Sequence, residues 1–391
     1  MEFRPEYAGG IKTFSWNSVP DGWRLELLGN LCSVRRGASP RPAGDPRYFG
    51  GDIPWFKIGD ATRSRSRFLY TTDVFVNEEG AKCSVRIPPG SLIVSNSGVS
   101  LGFAVITGLE GCIHDGWLLL DKLKGVDRDY LYYCINQFTP RIRGMADGTT
   151  QPNLNTDIAR RLLIPLPHLF EQRAIARMLA SLDDRIELNR RMNATLEAMA
   201  QALFDHSFPY STEDNLPDSW RVGRLDEVLV LQRGFDLPTP ERLPGPYQVI
   251  AASGPSGTHN QFMVRGPGVT TGRSGVLGNV YFVHEDFWPL NTSLWIKEFR
   301  HATPAYAYHL LRGLDFELFN AGSAVPTLNR NHVHNLPVVV PPMKSVQDFD
   351  RAVMPLLRRQ KANHEQSQTL AALRETLLPT LLSGELRVAA P

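Results

Sequence analysis

The stretch LFEQRAIARMLASLDDRIELNRRMNATLEAMAQALFDHSF, residues 169–208, contains neither glycine nor proline. Its inward-reading positions run Ile175, Leu179, Leu182, Ile186, Asn189, Asn193, Leu196, Ala200, Leu203, alternately four and three apart. That spacing is the a/d seam of a helix that packs against a second helix, with a polar patch in its middle. At 1.5 Å per residue, a helix of about 38 residues would be roughly 55–60 Å long.

Moving 174 positions along the chain gives Phe349, Val353, Leu356, Gln360, Asn363, Ser367, Leu370, Arg374 and Leu377. The seam recurs with its polar interruption in the same place, which argues against two unrelated amphipathic surface helices. Two equivalent helices related by a local two-fold axis that crosses them run antiparallel. Asn189 and Asn363 are then expected to meet near the middle and fix the register. Pro355 is expected to delay or kink the second helix, and Pro379 and Gly384 to end it.

The segments before each helix are echoed too. Pro20-Asp21-Gly22-Trp23-Arg24 returns as Pro217-Asp218-Ser219-Trp220-Arg221. Gln151-Pro152-Asn153-Leu154-Asn155 returns as Val325-Pro326-Thr327-Leu328-Asn329, and Ile164-Pro165-Leu166-Pro167 as Val338-Val339-Val340-Pro341. The expected organisation is an N-terminal segment 1–19, a globular module 20–167, a helix 168–208, a linker 209–215, a second module 216–342, and a helix with tail 343–391. Within the modules, short apolar runs such as Leu92–Ser95, Phe103–Thr107, Val280–Val283 and Ser293–Ile296 read as strands between Gly-rich turns. Asp129–Gln137 and Tyr306–Arg312 read as helices. The fold class is α+β: two pseudo-twofold-related globular modules joined by two long antiparallel coiled-coil-like helices.

Composition sets outer bounds. A chain of 391 residues, 42% hydrophobic and 21% charged, can bury a core in each half. No apolar run approaches the ~20 residues of a membrane span. Met1–Glu6 has no apolar core of the signal-peptide kind. Cys32, Cys83, Cys112 and Cys134 form no Cys-x-x-Cys pair and read as free thiols of a cytoplasmic protein. A net charge of +2 neither demands nor excludes a nucleic-acid partner.

Catalytic signatures are missing. Pro88-Pro89 and Pro341-Pro342 lack the flanking residues of an amine-methylating loop, and there is no Gly-x-x-x-x-Gly-Lys-Ser/Thr segment. His332-Val333-His334 would place two imidazoles on one face of a strand or in a loop, short of the ligands a metal needs. Thr271–Gly278 is Gly-rich and precedes a strand, so it reads as a recognition loop or a turn. Basic residues do cluster: Arg35, Arg36 and Arg41 in one loop; Lys57, Arg63, Arg65 and Arg67 after Trp55-Phe56; Gln232 and Arg233 in the place of Arg35-Arg36; and Arg273 with Ser274. Such loops suit phosphate and base-edge contacts, and a solvated charged surface is the plainer alternative.

Taken in order, these features resemble the specificity subunit of a type I restriction–modification system. Ile164–Ala176 is similar to that family's entry into its central helix, Gly50–Asp60 to the opening of its target recognition domains, and Leu373–Leu386 to its terminal helix. The second module lacks a Pro-Trp-x-x-x-Gly-Asp segment, and Ser345-Val346-Gln347 replaces Glu171-Gln172, so its residues could not be mapped onto the first. The resemblance implies a non-catalytic reader of double-stranded DNA with a two-part target. Its helix pair would set the spacer and dock two adenine methyltransferase subunits, with helicase–nuclease subunits as further partners. S-adenosylmethionine, ATP and Mg would belong to those partners and no cofactor or metal to this chain. The severed tail of a single-chain restriction–methylation enzyme and a two-headed protein-binding scaffold are the competing readings.

Overall fold

The computed structural model describes residues 19–64, 66–145, 153–212, 215–316 and 327–388. The chain divides into two compact units, Met1–Arg190 with His364–Pro391 and Arg191–Asn363. Each unit therefore contains a globular module and one stretch of each long helix.

In the first unit the strands are β1 (Arg24–Leu27), β2 (Ser33–Arg36), β3 (Phe49–Phe56), β4 (Phe68–Leu69), β5 (Phe75–Val76), β6 (Val85–Ile87), β7 (Leu92–Ser95), β8 (Ala104–Thr107), β9 (Gly111–Ile113), β10 (Trp117–Asp121) and β11 (Leu163–Leu166). Helices α1 (Leu28–Leu31), α2 (Ile58–Ser64), α3 (Glu78–Lys82), α4 (Arg128–Gln137), α5 (Thr139–Met145) and α6 (Thr156–Arg160) lie between them, and α7 is Leu169–Ser207. The strands form sheets of order β2-β10-β7-β8-β4, β5-β3-β9-β6 and β1-β11. Alternate residues of a strand face opposite sides. Accordingly Leu92, Val94, Ala104 and Ile106 enter the main core, while Ile93 and Val105 enter a second cluster with Phe56, Trp117 and Leu119.

The second unit adds β12 (Arg221–Arg224), β13 (Leu229–Arg233), β14 (Tyr247–Ala251), β15 (Gly254–His259), β16 (Gly268–Gly272), β17 (Val280–Val283), β18 (Phe287–Pro289), β19 (Ser293–Phe299) and β20 (Pro337–Val340). Its helices are α8 (Leu225–Val228), α9 (Pro304–Arg312), α10 (Arg330–His334) and α11 (Met343–Ser383). The sheets run β13-β19-β16-β17, β15-β14-β18 and β12-β20, the same order on a smaller scale. The echoed segments even pair in equivalent register. Arg24 lies opposite Leu166, and Arg221 opposite Val340.

The two long helices are antiparallel within each unit. In the first, Arg374 meets Asp183 at 2.6 Å, and Asn189 donates to Gln366 at 2.9 Å and to Ser367 at 3.2 Å. In the second, Asn363 donates to Asn193 at 2.8 Å, and Gln360 donates to Glu197 at 3.0 Å. In each unit the polar patch of the seam is thus a set of side-chain hydrogen bonds between the two helices, made by amide, hydroxyl and carboxylate groups. Toward the modules the seam becomes apolar. Ile175 and Leu179 pack with Leu378, Leu381 and Leu382 in one core, and Ala200 packs with Val353 and Leu357 in the other. Each fully buried leucine contributes roughly 2 kcal/mol of transfer free energy. Leu182, Ile186, Leu196, Leu203, Leu356, Leu370 and Leu377 are half-buried, because away from the module cores a two-helix seam has solvent on its flanks.

Three expectations are corrected. α11 begins at Met343 and runs on through Pro355 and Pro379. Both Arg351, four residues before Pro355, and Pro355 itself are exposed, so the lost hydrogen bond faces water while Val353 and Leu357 anchor the helix on its other side. Gly384, at φ +72°, ends it. His332-Val333-His334 lies in helix α10, not in a strand or loop. His334 Nε2 there accepts the Leu231 amide at 2.9 Å, and Val333 is core.

Candidate nucleic-acid interface

In the first unit, three connections converge on Asp115, in the turn between β9 and β10. Ser39 donates its hydroxyl to Oδ1 at 2.6 Å, and Arg41 donates to Oδ2 at 2.9 Å. The backbone carbonyl of Asp115 accepts from Arg36 Nε at 2.8 Å and from Asn96 Nδ2 at 2.9 Å. The Ser39 hydrogen bond, followed by the Arg41 charge, holds the Asp115 carboxyl below its ordinary pKa. His114 is pushed down by burial, and its Nδ1 accepts the Gly116 amide at 2.8 Å, which leaves the proton on Nε2. The carboxylate therefore stays charged at neutral pH and holds the loop of β2–β3, while the main-chain carbonyl of Asp115 holds Asn96 of the β7–β8 loop.

Gly37 makes this approach possible. A Cβ there would lie 2.1 Å from the His114 carbonyl oxygen. Its amide donates to the Trp117 carbonyl at 2.8 Å. The second unit repeats the device: a Cβ on Gly234 would lie 2.2 Å from the Leu290 oxygen, and its amide donates to Ser293. The pairing of Arg35-Arg36 with Gln232-Arg233 read from sequence is therefore a structural equivalence.

The correspondence extends further than the sequence allowed. Asn96 donates its amide to the Gly116 carbonyl and accepts from the Leu154 amide. Arg273 donates to the Thr292 carbonyl and accepts from the Leu328 amide. Arg273 also reaches the Asn291 carbonyl at 3.3 Å, where Asn96 reaches that of Asp115. Asn291 thus stands in the place of Asp115, and it bonds Asp236. Phe56 pairs with Ile113 in parallel, as Ile250 pairs with Pro289, so β14 is the counterpart of β3. The second module does map onto the first. Its aromatic signature is lost because Val249-Ile250 replaces Trp55-Phe56.

The other sequence candidates divide. Lys57 is exposed, with its ammonium 5.6 Å from the centre of the Trp55 ring. Arg36 is exposed beside Asp115, and Arg233 lies 3.5 Å from Asp236. Gln232 and Ser274 are half-buried. Arg35 pairs with Asp121 at 2.9 Å, at the other end of β10 from the hub. Arg63 is held by Asp60 and Asp73. Arg65 lies outside the described residues. Arg67 is a correction: its side chain is 9% exposed, and it bridges Asp129 of α4 at 2.7 Å and Asp184 of α7 at 2.8 Å. It fastens the module to the helix and is enclosed by those two partners.

Sequence reasoning missed the β7–β8 loop, Asn96-Ser97-Gly98-Val99-Ser100-Leu101-Gly102, which lies beside the Asp115 hub. The signal was present as Ser97-Gly98-Val99 against Ser274-Gly275-Val276. The two lie 177 positions apart, out of step with the 174 of the neighbouring echoes.

Among the described residues, no group of three or more His, Cys, Asp or Glu side chains could hold a metal ion, and no helix is long and apolar enough to cross a membrane. The arrangement offers guanidinium, hydroxyl and amide donors on loops held by a rigid sheet. These are the donors that contact phosphates and base edges.

Comparison with known proteins agrees with this chemistry. The family described as "Type I restriction modification DNA specificity domain" matches residues 20–198. The MjaIX type I restriction enzyme specificity subunit of Methanocaldococcus jannaschii is 26% identical, over 95% of each chain. The MjaVIII specificity subunit of the same organism is 24% identical over 55% of this chain and 51% of its own. By fold, the chain is similar to the type I restriction–modification S subunit from M. genitalium, with a TM-score of 0.67 and 18% identity over 96% of this chain and 98% of that one.

Proposed function

We propose that this chain, a specificity subunit of the type I restriction–modification kind, reads a DNA target in two halves, one with each globular unit. The observation that carries the reading is the hub built twice. The same Arg-Gly close approach and the same turn carry different polar side chains: half-buried Asp115 braced by buried Asn96 in one unit, half-buried Asn291 and Arg273 in the other. A constant frame with variable donors and acceptors is what recognition of two different base sequences requires.

The chain is a recognition component and not a catalyst. Two adenine methyltransferase subunits would supply S-adenosylmethionine and flip the target base. Helicase–nuclease subunits would bring ATP and Mg chemistry. The helix pair serves as spacer ruler and docking platform. In support, α7 and α11 each pass from one unit into the other without a break. A helix of 39 residues is about 58 Å long, more than the ~34 Å of one DNA turn.

Methylome sequencing of the host with and without the gene tests this. The expected result is a gene-dependent adenine-methylated motif of two short specified segments separated by a fixed unspecified gap. A continuous motif, or no change, overturns it. A scaffold that only binds proteins would leave the methylome unaltered.

A further inference from the structure

We infer that the β7–β8 loop at Ser97-Gly98-Val99 and the β16–β17 loop at Ser274-Gly275-Val276 grip the sugar–phosphate backbone of the duplex, leaving base reading to their neighbours. The inference rests on the DNA-reading function proposed above and assigns a division of labour within it.

The two loops, with the Arg36-Gly37 and Arg233-Gly234 pairs, are the parts of the hubs whose side chains are alike. Around them the equivalent positions differ: Asn96 against Arg273, Asp115 against Asn291, Lys57 against Ala251. Two half-sites of unlike sequence have unlike base edges, and what they share is the phosphodiester backbone. A loop kept the same in both units fits the shared chemistry, and loops that differ fit the unshared.

The donors suit phosphate oxygens. The Ser97 and Ser274 hydroxyls, and the amide N–H groups of Val99 and Val276, have no acceptor among the described residues. Gly98 at φ +72° and Gly275 at φ +88° give both loops the same left-handed backbone, a conformation that side chains disfavour. The tips are correspondingly open: Val99 is 78% exposed and Val276 40% exposed.

Each loop is also tied by hydrogen bonds. Leu154 and Leu328 donate to the residue before the serine at 2.8 Å in both units. In the first, Arg143 donates to the Val99 carbonyl at 2.7 Å and to that of Leu101 at 3.2 Å, and Thr139 donates to that of Gly102 at 3.0 Å. Neutral hydroxyl and amide donors on a held loop bind phosphate without regard to sequence.

The test uses charge at the exposed tip, where a substitution leaves the fold intact. Full-length V99D, V99K, V276D and V276K chains are assembled with the cognate methyltransferase. Binding is titrated against a duplex carrying the motif found by methylome sequencing and against a scrambled duplex, at two salt concentrations. Aspartate is expected to weaken both duplexes by roughly threefold to tenfold, and lysine to tighten both, with the salt slope steeper by about one unit and the methylated motif unchanged. Equal damage from aspartate and lysine, no effect of either, or a changed base in either half-site overturns the assignment. A wild-type complex with no gene-dependent motif would sink the DNA-reading function itself, and a motif altered by V99D would sink only the division of labour.

Discussion

Asn96 and Arg273 occupy the same place in two different units. Each donates its amide to a turn carbonyl, Gly116 at 2.9 Å or Thr292 at 2.8 Å, and each accepts from a leucine amide at 2.8 Å. An asparagine and an arginine held by one backbone pattern differ only in what the side chain can offer. Exchange of the two is therefore a change of vocabulary on a fixed frame. Asn96 is buried and Arg273 half-buried, so the exchange is made at Arg273: in R273N chains, methylome sequencing is expected to show altered bases in one half-site and an unaltered second half.

Arg67 and Arg41 should separate cleanly. Arg67 is enclosed between Asp129 and Asp184, and Arg41 is 72% exposed beside Asp115. R67M is expected to cost about 2 kcal/mol in chemical denaturation, below the range for a fully buried pair because Asp184 is exposed and Asp129 keeps Arg128. Its methylated motif should not change. R41A should stay within about 0.5 kcal/mol of wild type while the assembled complex binds DNA more weakly.

Burial lowers the pKa of His309 to about 4, with Phe204 stacked at 5.6 Å and Gln201 facing Nδ1. An unfolded histidine titrates near 6.5. The folded state binds fewer protons between these values, so the stabilisation is complete above about pH 6.5 and is lost as the pH falls toward 4. The unfolding free energy of wild type relative to H309L should fall by roughly 2 kcal/mol between pH 7.5 and pH 5.0. A pH-independent difference would show that the ring is solvated.

Asn155 caps α6 by accepting from the Asp157 and Ile158 amides, and Asn329 caps α10 by accepting from Asn331. N155A and N329A should each cost about 1 kcal/mol in thermal unfolding, and their sum should hold in the double variant, since the caps share no partner.

Seven residues inserted at matching places in α7 and α11 would preserve the seam while adding about 10 Å to each helix. The expected outcome is a methylated motif whose gap grows by about three base pairs, with both half-sites kept. Changed half-site bases would separate the helices from spacer control.

The helices were legible in the sequence because their period is local: four and three residues suffice to see it. The Arg-Gly loops were legible as clustered cations that recur at corresponding places, and the close backbone approach at their glycines was not, because it depends on a turn brought up by the sheet. The Asp115 hub was not. It joins Ser39 and Arg41 to a turn more than seventy positions away, and only the sheet brings them together. Arg67 looked like its exposed neighbours because its burial depends on Asp129 and Asp184, 62 and 117 positions along the chain. Pro355 misled because its helix is held by tertiary packing on the opposite face, which overrides a local preference.

Arg387 forks onto Glu171 at 2.8 and 3.2 Å, lies over the Trp23 ring, and donates to the Asp21 carbonyl. With Leu378, Leu381 and Leu382, it completes a core begun more than three hundred residues earlier. During translation the first unit must therefore wait, its apolar surface uncovered, until the whole of the second has left the ribosome.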